Sequence, residues 1–246
     1  MSLNPPELDK LVRRAVSSFW RIRFRQAALQ KTKGSADQGD RAAVTGGAQM
    51  NGFARLICKL VKDAGIPDAM IFRDKSLELP GYFRPTKKWD ILVVVDGVLL
   101  AAVEAKSQVG PSFGNNFNNR SEEAIGSAVD LWSAFREGAF AGSPRPWVGY
   151  LFLLEDCEKS RAPLGVAEPH FPVFPEFKNS SYMKRYELLC RKLVRERHYE
   201  AAAFLVAQRT GKGAFVQPAD DLSFSVFAAS LVGHVSAIAA ARGKKR

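Results

Sequence analysis

A layered α/β fold, its sheet covered by helices on both sides, is what this sequence predicts, and three observations predict it. Trp89–Val95 and Val98–Lys106 are apolar, β-branched runs around Asp96-Gly97, a strong hairpin signal. Both faces of these runs are apolar away from their ends, so neither face of the sheet meets water. Helical periods of apolar residues stand before and after them.

In chain order, Leu8–Gln30 sets Leu8, Leu11, Val12, Ala15, Val16, Phe19 and Trp20 at helical spacing. Basic residues, Arg13, Arg21 and Arg25 among them, fill the other side and offer a cationic face. Gly34–Gly39 breaks that helix. Phe53–Ala64 predicts a second, with Phe53, Leu56, Ile57, Leu60 and Val61 on one stripe and Gly65 as its stop. Ala69–Phe72 reads as a short strand. Leu79–Lys88, with Pro80, Gly81 and Pro85, reads as a loop before the hairpin. Gln108–Asn119 reads as a polar loop rich in Gly and Asn, after which Asn119 and Glu122 have capping-box spacing for a helix to about Glu137. Trp147–Leu154 is a strand, and 156–180 a long loop with four prolines. Ser181–Arg195 is a helix, Ala203–Ala207 the last strand, and a final helix begins near Asp221.

Composition narrows the function. The expectation is a single domain over all 246 residues: N-terminal helices over about 7–65, a sheet core over about 69–207 and a C-terminal helix over about 221–242. Apolar residues at 46 % and charged residues at 25 % exclude a disordered chain. The net charge of +11 sits at the two ends. By blocks of fifty it runs +5, +2, −1 and +1, then +4 for the last forty-six residues. A field of that sign suits a polyanion such as DNA, RNA or an anionic membrane surface.

Three cysteines stand far apart, which excludes a disulfide scaffold or a cysteine zinc module and fits a reducing cytoplasm. The scattered histidines exclude zinc helices of the H-E-x-x-H kind, and MSLNPPELDK has no apolar stretch of a secretory leader. Leu222–Ala241 carries no charge, but its four serines, glycine and His234 make it a core or interface helix rather than a membrane span. It is also the first candidate for a dimer surface. Gly110-Pro-Ser112-Phe-Gly114 lacks the strand–turn–helix setting of a nucleophile elbow, and Gly211-Lys212-Gly213 lacks phosphate-loop spacing, so no nucleotide cofactor is expected.

The informative constellation is Trp89-Asp90, thirteen residues, then Glu104-Ala105-Lys106. Alternation along a strand puts Glu104 and Lys106 on one face. Whether Asp90 joins them depends on register. A two-residue Asp96-Gly97 loop in an unbroken ladder pairs 90 with 103 and sends Asp90 to the wrong face. A three-residue loop, Val95-Asp96-Gly97, pairs 90 with 102 and sets Asp90 diagonal to Glu104, roughly 7–8 Å away. Two carboxylates on one face make a hard oxygen site that suits Mg²⁺, and the neighbouring lysine serves a scissile phosphate or an attacking water. The loop that follows carries Gln108, Asn115, Asn116, Asn118, Asn119 and Arg120, side chains able to read base edges. Arg84, Lys87 and Lys88 precede Asp90 as candidate phosphate contacts.

The runs PGYFRPTKKWDILVVVDG and VEAKSQVGPSFGNNFNNRSEEAIG, with DQGDRAAVTGG upstream, closely resemble the XhoI-type restriction endonucleases. That resemblance implies the PD-(D/E)xK nuclease fold, a mixed central β-sheet flanked by helices on both faces. It implies Asp90 and Glu104 as metal-binding carboxylates, Lys106 as the catalytic lysine and the Ala105 backbone carbonyl as a further ligand. It also implies a Mg²⁺-dependent homodimer that acts on double-stranded DNA at CTCGAG. Cutting after the first C would leave 5′ overhangs with 5′-phosphates. Trp89 stands where the motif's name has proline, and Glu78 or Asp40 is the candidate third acidic ligand. Two rival readings stand beside it: a repair or recombination nuclease on the same core, and a sequence-specific DNA-binding protein without catalysis.

Overall fold

The structure, a computed structural model, describes residues 4–32, 48–140 and 142–243. The segment DQGDRAAVTGG, Asp40 included, lies outside the described residues. A mixed five-stranded sheet is built from β1 (Ile71–Phe72), β4 (Ile91–Val95), β5 (Val98–Gln108), β6 (Trp147–Glu155) and β7 (Ala201–Ala207), in that spatial order. The β1/β4 and β4/β5 pairs are antiparallel, whereas β5/β6 and β6/β7 are parallel. All nine residues of β6 and all seven of β7 are buried, as expected of strands covered on both faces. A separate ribbon pairs β2 (Glu78–Pro80) with β3 (Thr86–Lys88), where the sequence predicts only loop. The two prolines stand at its ends, where a missing N–H interrupts no ladder.

Helices α1 (Pro5–Thr32), α2 (Asn51–Asp63) and α5 (Phe224–Gly243) cover one face, burying Phe19, Trp20, Ile57, Val61, Phe227 and Leu231 against Ile91, Val93 and Val103. The other face meets α3 (Phe113–Arg136) and α4 (Tyr182–Arg195), through Ala128, Leu131, Tyr186 and Leu189 against Leu92, Ala102 and Tyr150. Each layer follows from its periodicity. Eight of the thirteen residues of α2 are buried, and Gly65 at φ +99° ends the turn that follows. Helix α5 contains an 18-residue stretch, Phe224–Ala241, of mean hydropathy 1.7, long and apolar enough to cross a membrane by composition. Here Phe224, Phe227, Leu231 and Val235 are fully buried on the sheet, so that side of the helix is core.

The hairpin register departs from both alternatives read from the sequence. Asp96 and Gly97, at φ +51° and +76°, make a two-residue turn that pairs Val95 with Val98 and Val94 with Leu99. The ladder then shifts, and Val93 pairs with Ala101. Leu100 is therefore an extra residue in β5, a β-bulge, and Leu100 and Ala101 both enter the α1/α2/α5 core. The bulge supplies the one-residue correction expected of a three-residue loop. Beyond it Ile91 pairs with Val103, so the next step sets Asp90 across from Glu104 instead of diagonal to it.

The segment before the hairpin is pinned from α3. The Asp130 carboxylate, 4 % exposed, accepts from the backbone N–H groups of Tyr82 at 2.8 Å and Phe83 at 2.9 Å, and from Arg84 Nε at 2.7 Å. Gly81 sits so close that a Cβ would meet the Arg84 carbonyl at 2.6 Å. The tip is left with Tyr82 and Phe83 packed edge-on, 4.9 Å between centroids, and both exposed.

Burial would raise the Asp130 carboxyl, but the Phe83 N–H, Arg84 and the Tyr82 N–H hold it below its ordinary value. Asp130→Ala should lower stability at pH 7 by about 2 kcal/mol, read from the urea midpoint, because three donors lose one acceptor. Since the folded value lies below the unfolded one, the wild-type advantage is full above about pH 3.9 and shrinks as pH falls through the folded value. Equal midpoints for the two proteins at pH 7 would refute this account of the pin.

Candidate active site

The bulge brings the expected residues to one place on the α3/α4 face of the sheet. Glu104 lies beside Tyr150 of β6 in the parallel ladder, and both face that layer. Its side chain is 4 % exposed. Lys106, two residues on along the same face, is ion-paired to Glu104 Oε1. Asp90, just before β4, donates its N–H to the Val103 carbonyl at 3.2 Å, and its Oδ2 accepts from the Ala105 N–H at 2.7 Å. That bond fixes the carboxylate against the strand carrying Glu104 and Lys106.

The electrostatics bind these groups into a unit. Burial, and after it the Glu104 charge, push the Asp90 carboxyl above its ordinary value. Burial acts in the same sense on Glu104, but Lys106 and then Lys87 overcome it and hold Glu104 below its ordinary value. Burial would lower Lys106, and the Glu104 charge instead raises it, so Lys106 is an ammonium at neutral pH. Two carboxylates from neighbouring strands, Glu104 buried and Asp90 half-buried, form an all-oxygen donor set, which fits a hard divalent cation better than zinc. The like-charge interaction that raises Asp90 is one a cation between the two would relieve. Among the described residues no three Asp, Glu, His or Cys side chains gather to hold a metal. Glu78 is not a third member: it is exposed on β2, across from Lys88, with its carboxylate on the Leu77 N–H at 3.1 Å.

The basic and amide residues divide differently from the sequence reading. Lys87 is not an exposed phosphate contact, because its Nζ lies 2.7 Å from Glu104 Oε2 and its side chain is 11 % exposed. Lys88 stays exposed on β3. Arg84 commits its Nε to Asp130. Gln108 is 3 % exposed, and its amide donates to the Val109 and Ser112 carbonyls, so it braces the turn after β5 and cannot reach a base. The predicted loop is short. Helix α3 starts at Phe113, not at Asn119, because buried Phe113, stacked on Tyr182 at 5.5 Å, and Phe117 begin its apolar stripe at i, i+4 spacing. That spacing was legible and was masked by the intervening asparagines.

Asn115, Asn118 and Asn119 are consequently exposed on the first turns of a helix, while Asn116 bonds the Ser112 carbonyl. Arg120 is half-buried on the same helix, ion-paired to Glu123, with its Nε buried and without a hydrogen-bond partner. Its charge opposes the rise that Glu104 gives to Lys106. The exposed basic stripe of α1, with Arg21, Arg25 and Arg13 (paired to Asp9), belongs to the helix layer on the opposite face of the sheet.

Comparison with known proteins gives these groups a context. The family model described as "Restriction endonuclease XhoI" matches residues 29–217. Type II restriction enzyme BstVI of Geobacillus stearothermophilus is 53 % identical over 219 residues, covering 86 % of this chain and 98 % of that enzyme. Type II restriction enzyme XhoI of Xanthomonas vasicola is 51 % identical over 196 residues, 79 % of this chain and 78 % of its own length. Type II restriction enzyme AbrI of Azospirillum brasilense is 48 % identical over 172 residues, 70 % of this chain and 77 % of its own. No solved structure matches. The match to the family model spans every strand of the sheet, both carboxylates and both lysines beside them, and with relatives of this identity and coverage it shows that the chain belongs to the XhoI restriction endonuclease family.

Proposed function

We propose that this chain, a type II restriction endonuclease by family, hydrolyses phosphodiester bonds of double-stranded DNA at the palindrome CTCGAG. Cleavage after the first C would leave 5′ overhangs with 5′-phosphates. The reading is supported by one observation above the rest: Asp90, Glu104 and Lys106 meet on one face of the sheet in a chain 51 % identical to an enzyme named XhoI. The cofactor is Mg²⁺, held by Asp90 and Glu104 with the Ala105 carbonyl as a further ligand. When bound, Mg²⁺ supplies Lewis-acid stabilisation of the charge that builds on the phosphate in the transition state.

The chain's own groups do the rest. Asp90 is oriented by the Ala105 N–H and Glu104 by two ammonium groups, so both carboxylates are set before substrate arrives. Lys106, protonated and 26 % exposed, donates to the attacking water and faces the developing negative charge. Arg120 adds a positive charge that acts on Lys106, and exposed Lys88, Asn115, Asn118 and Asn119 form the DNA-facing rim.

A palindrome presents two equivalent scissile bonds, so the active unit is a homodimer of single-domain chains, working in the cytoplasm. Helix α5 supports the choice of interface. It is uncharged over 224–241, and its outer side leaves Val226 47 % exposed.

Digestion of a linear duplex with one CTCGAG site in Mg²⁺ should give two fragments with cohesive ends, and chelation with EDTA should abolish them. A smear, or nicking at branched structures, would sink the restriction reading. Glu104→Gln and Lys106→Met should each slow cleavage by about 100-fold or more while still shifting the duplex in a gel with Ca²⁺. Cleavage at the wild-type rate in either variant removes that residue from the mechanism. Val226→Glu should convert a dimer to a monomer in sedimentation velocity, and an unchanged sedimentation coefficient would move the interface elsewhere.

A further inference from the structure

Lys87 is held from three directions. Its Nζ lies 2.7 Å from Glu104 Oε2, 3.0 Å from the Lys88 carbonyl and 4.5 Å from the centroid of the Trp89 ring. Trp89 is itself 2 % exposed, so this π face is a fixed wall. The residue standing where the motif's name has proline thus backs a lysine. Lys106 takes Oε1 of the same carboxylate, so both oxygens of Glu104 carry an ammonium. The two lysines are not equivalent. Lys106 is 26 % exposed and ends on the solvent side, whereas Lys87 is 11 % exposed and confined by Trp89 and its own neighbour's carbonyl.

We propose that Lys87 is a positioning residue that holds Glu104 Oε2 and competes with the divalent cation for it, thereby setting the cation concentration at which the site fills. The inference rests on the reading of Asp90 and Glu104 as the cation site. Its physical basis is charge. A dication sharing Glu104 with this ammonium lies within about 5 Å of it, and at that distance even fully water-screened repulsion weakens binding by about tenfold. A burial this deep screens less, so the effect is at least of that size. In return the ammonium keeps a buried carboxylate ionised and aimed while the cation is absent.

The test is titration calorimetry of the full-length protein with Mn²⁺ alone, without DNA, on wild type, Lys87→Met, Lys87→Gln and Glu104→Gln, each first checked for an intact thermal transition. Both Lys87 variants should bind Mn²⁺ at least about tenfold more tightly than wild type. The Mg²⁺ concentration for half-maximal cleavage should fall in parallel, and Glu104→Gln should lose binding. A lysine that merely supports the fold would give weaker or unchanged binding. Unchanged or weaker affinity in both Lys87 variants, with binding still lost in Glu104→Gln, overturns the inference and leaves the site standing. Unchanged binding in Glu104→Gln overturns the site itself. Lys87→Gln keeps the test decisive if Lys87→Met fails to fold.

Discussion

One extra residue in β5 decides where the chemistry stands. Side chains alternate along a strand, so a shift of one position exchanges the faces of everything beyond it. The two-residue turn at Asp96-Gly97, followed by an unbroken ladder, would bury Asp90 among the apolar residues of the opposite layer. The bulge at Leu100 restores it to the side of Glu104 and Lys106. It does so at low cost, because Leu100 and Ala101 both find places in the α1/α2/α5 core, and Ala101 and Ala102 are small enough to let the strand bend.

Glu104 shows what it takes to keep a carboxylate ionised in such a place. A lone buried carboxylate would accept a proton rather than stay charged. Here two ammonium groups outweigh desolvation. Asp90, with one N–H and more distant cations, is pushed the other way. The asymmetry between two chemically similar groups comes from the positions of two lysines, one on β5 and the other on a ribbon outside the main sheet.

Much of this was legible in the sequence, and the remainder was hidden for identifiable reasons. The hairpin, the covered sheet and the long helices follow from periodicity, which burial enforces. The Asp90, Glu104 and Lys106 pattern was legible too, but their common face depends on a register shift within the ladder and not on the length of the turn. Bulges leave little mark in a run such as Leu99-Leu100-Ala101-Ala102, where every residue is apolar. Lys87 and Lys88 are neighbours of the same type, and only the pleat of β3 turns one inward and the other outward. Gln108 and the asparagines after it share amide chemistry, yet one closes a turn while others line a helix. Their fates differ because buried Phe113 and partly buried Phe117, whose contacts lie far along the chain, start the helix early.

The anchored tip at Tyr82 and Phe83 has a consequence of its own. Exposed aromatic rings on a loose loop must surrender motion when another surface covers them, and that loss subtracts from binding. Two N–H groups and a guanidinium fastened to Asp130 have already taken that motion away. A surface that settles on these rings meets a preformed relief, so the area it covers converts to affinity with little conformational toll.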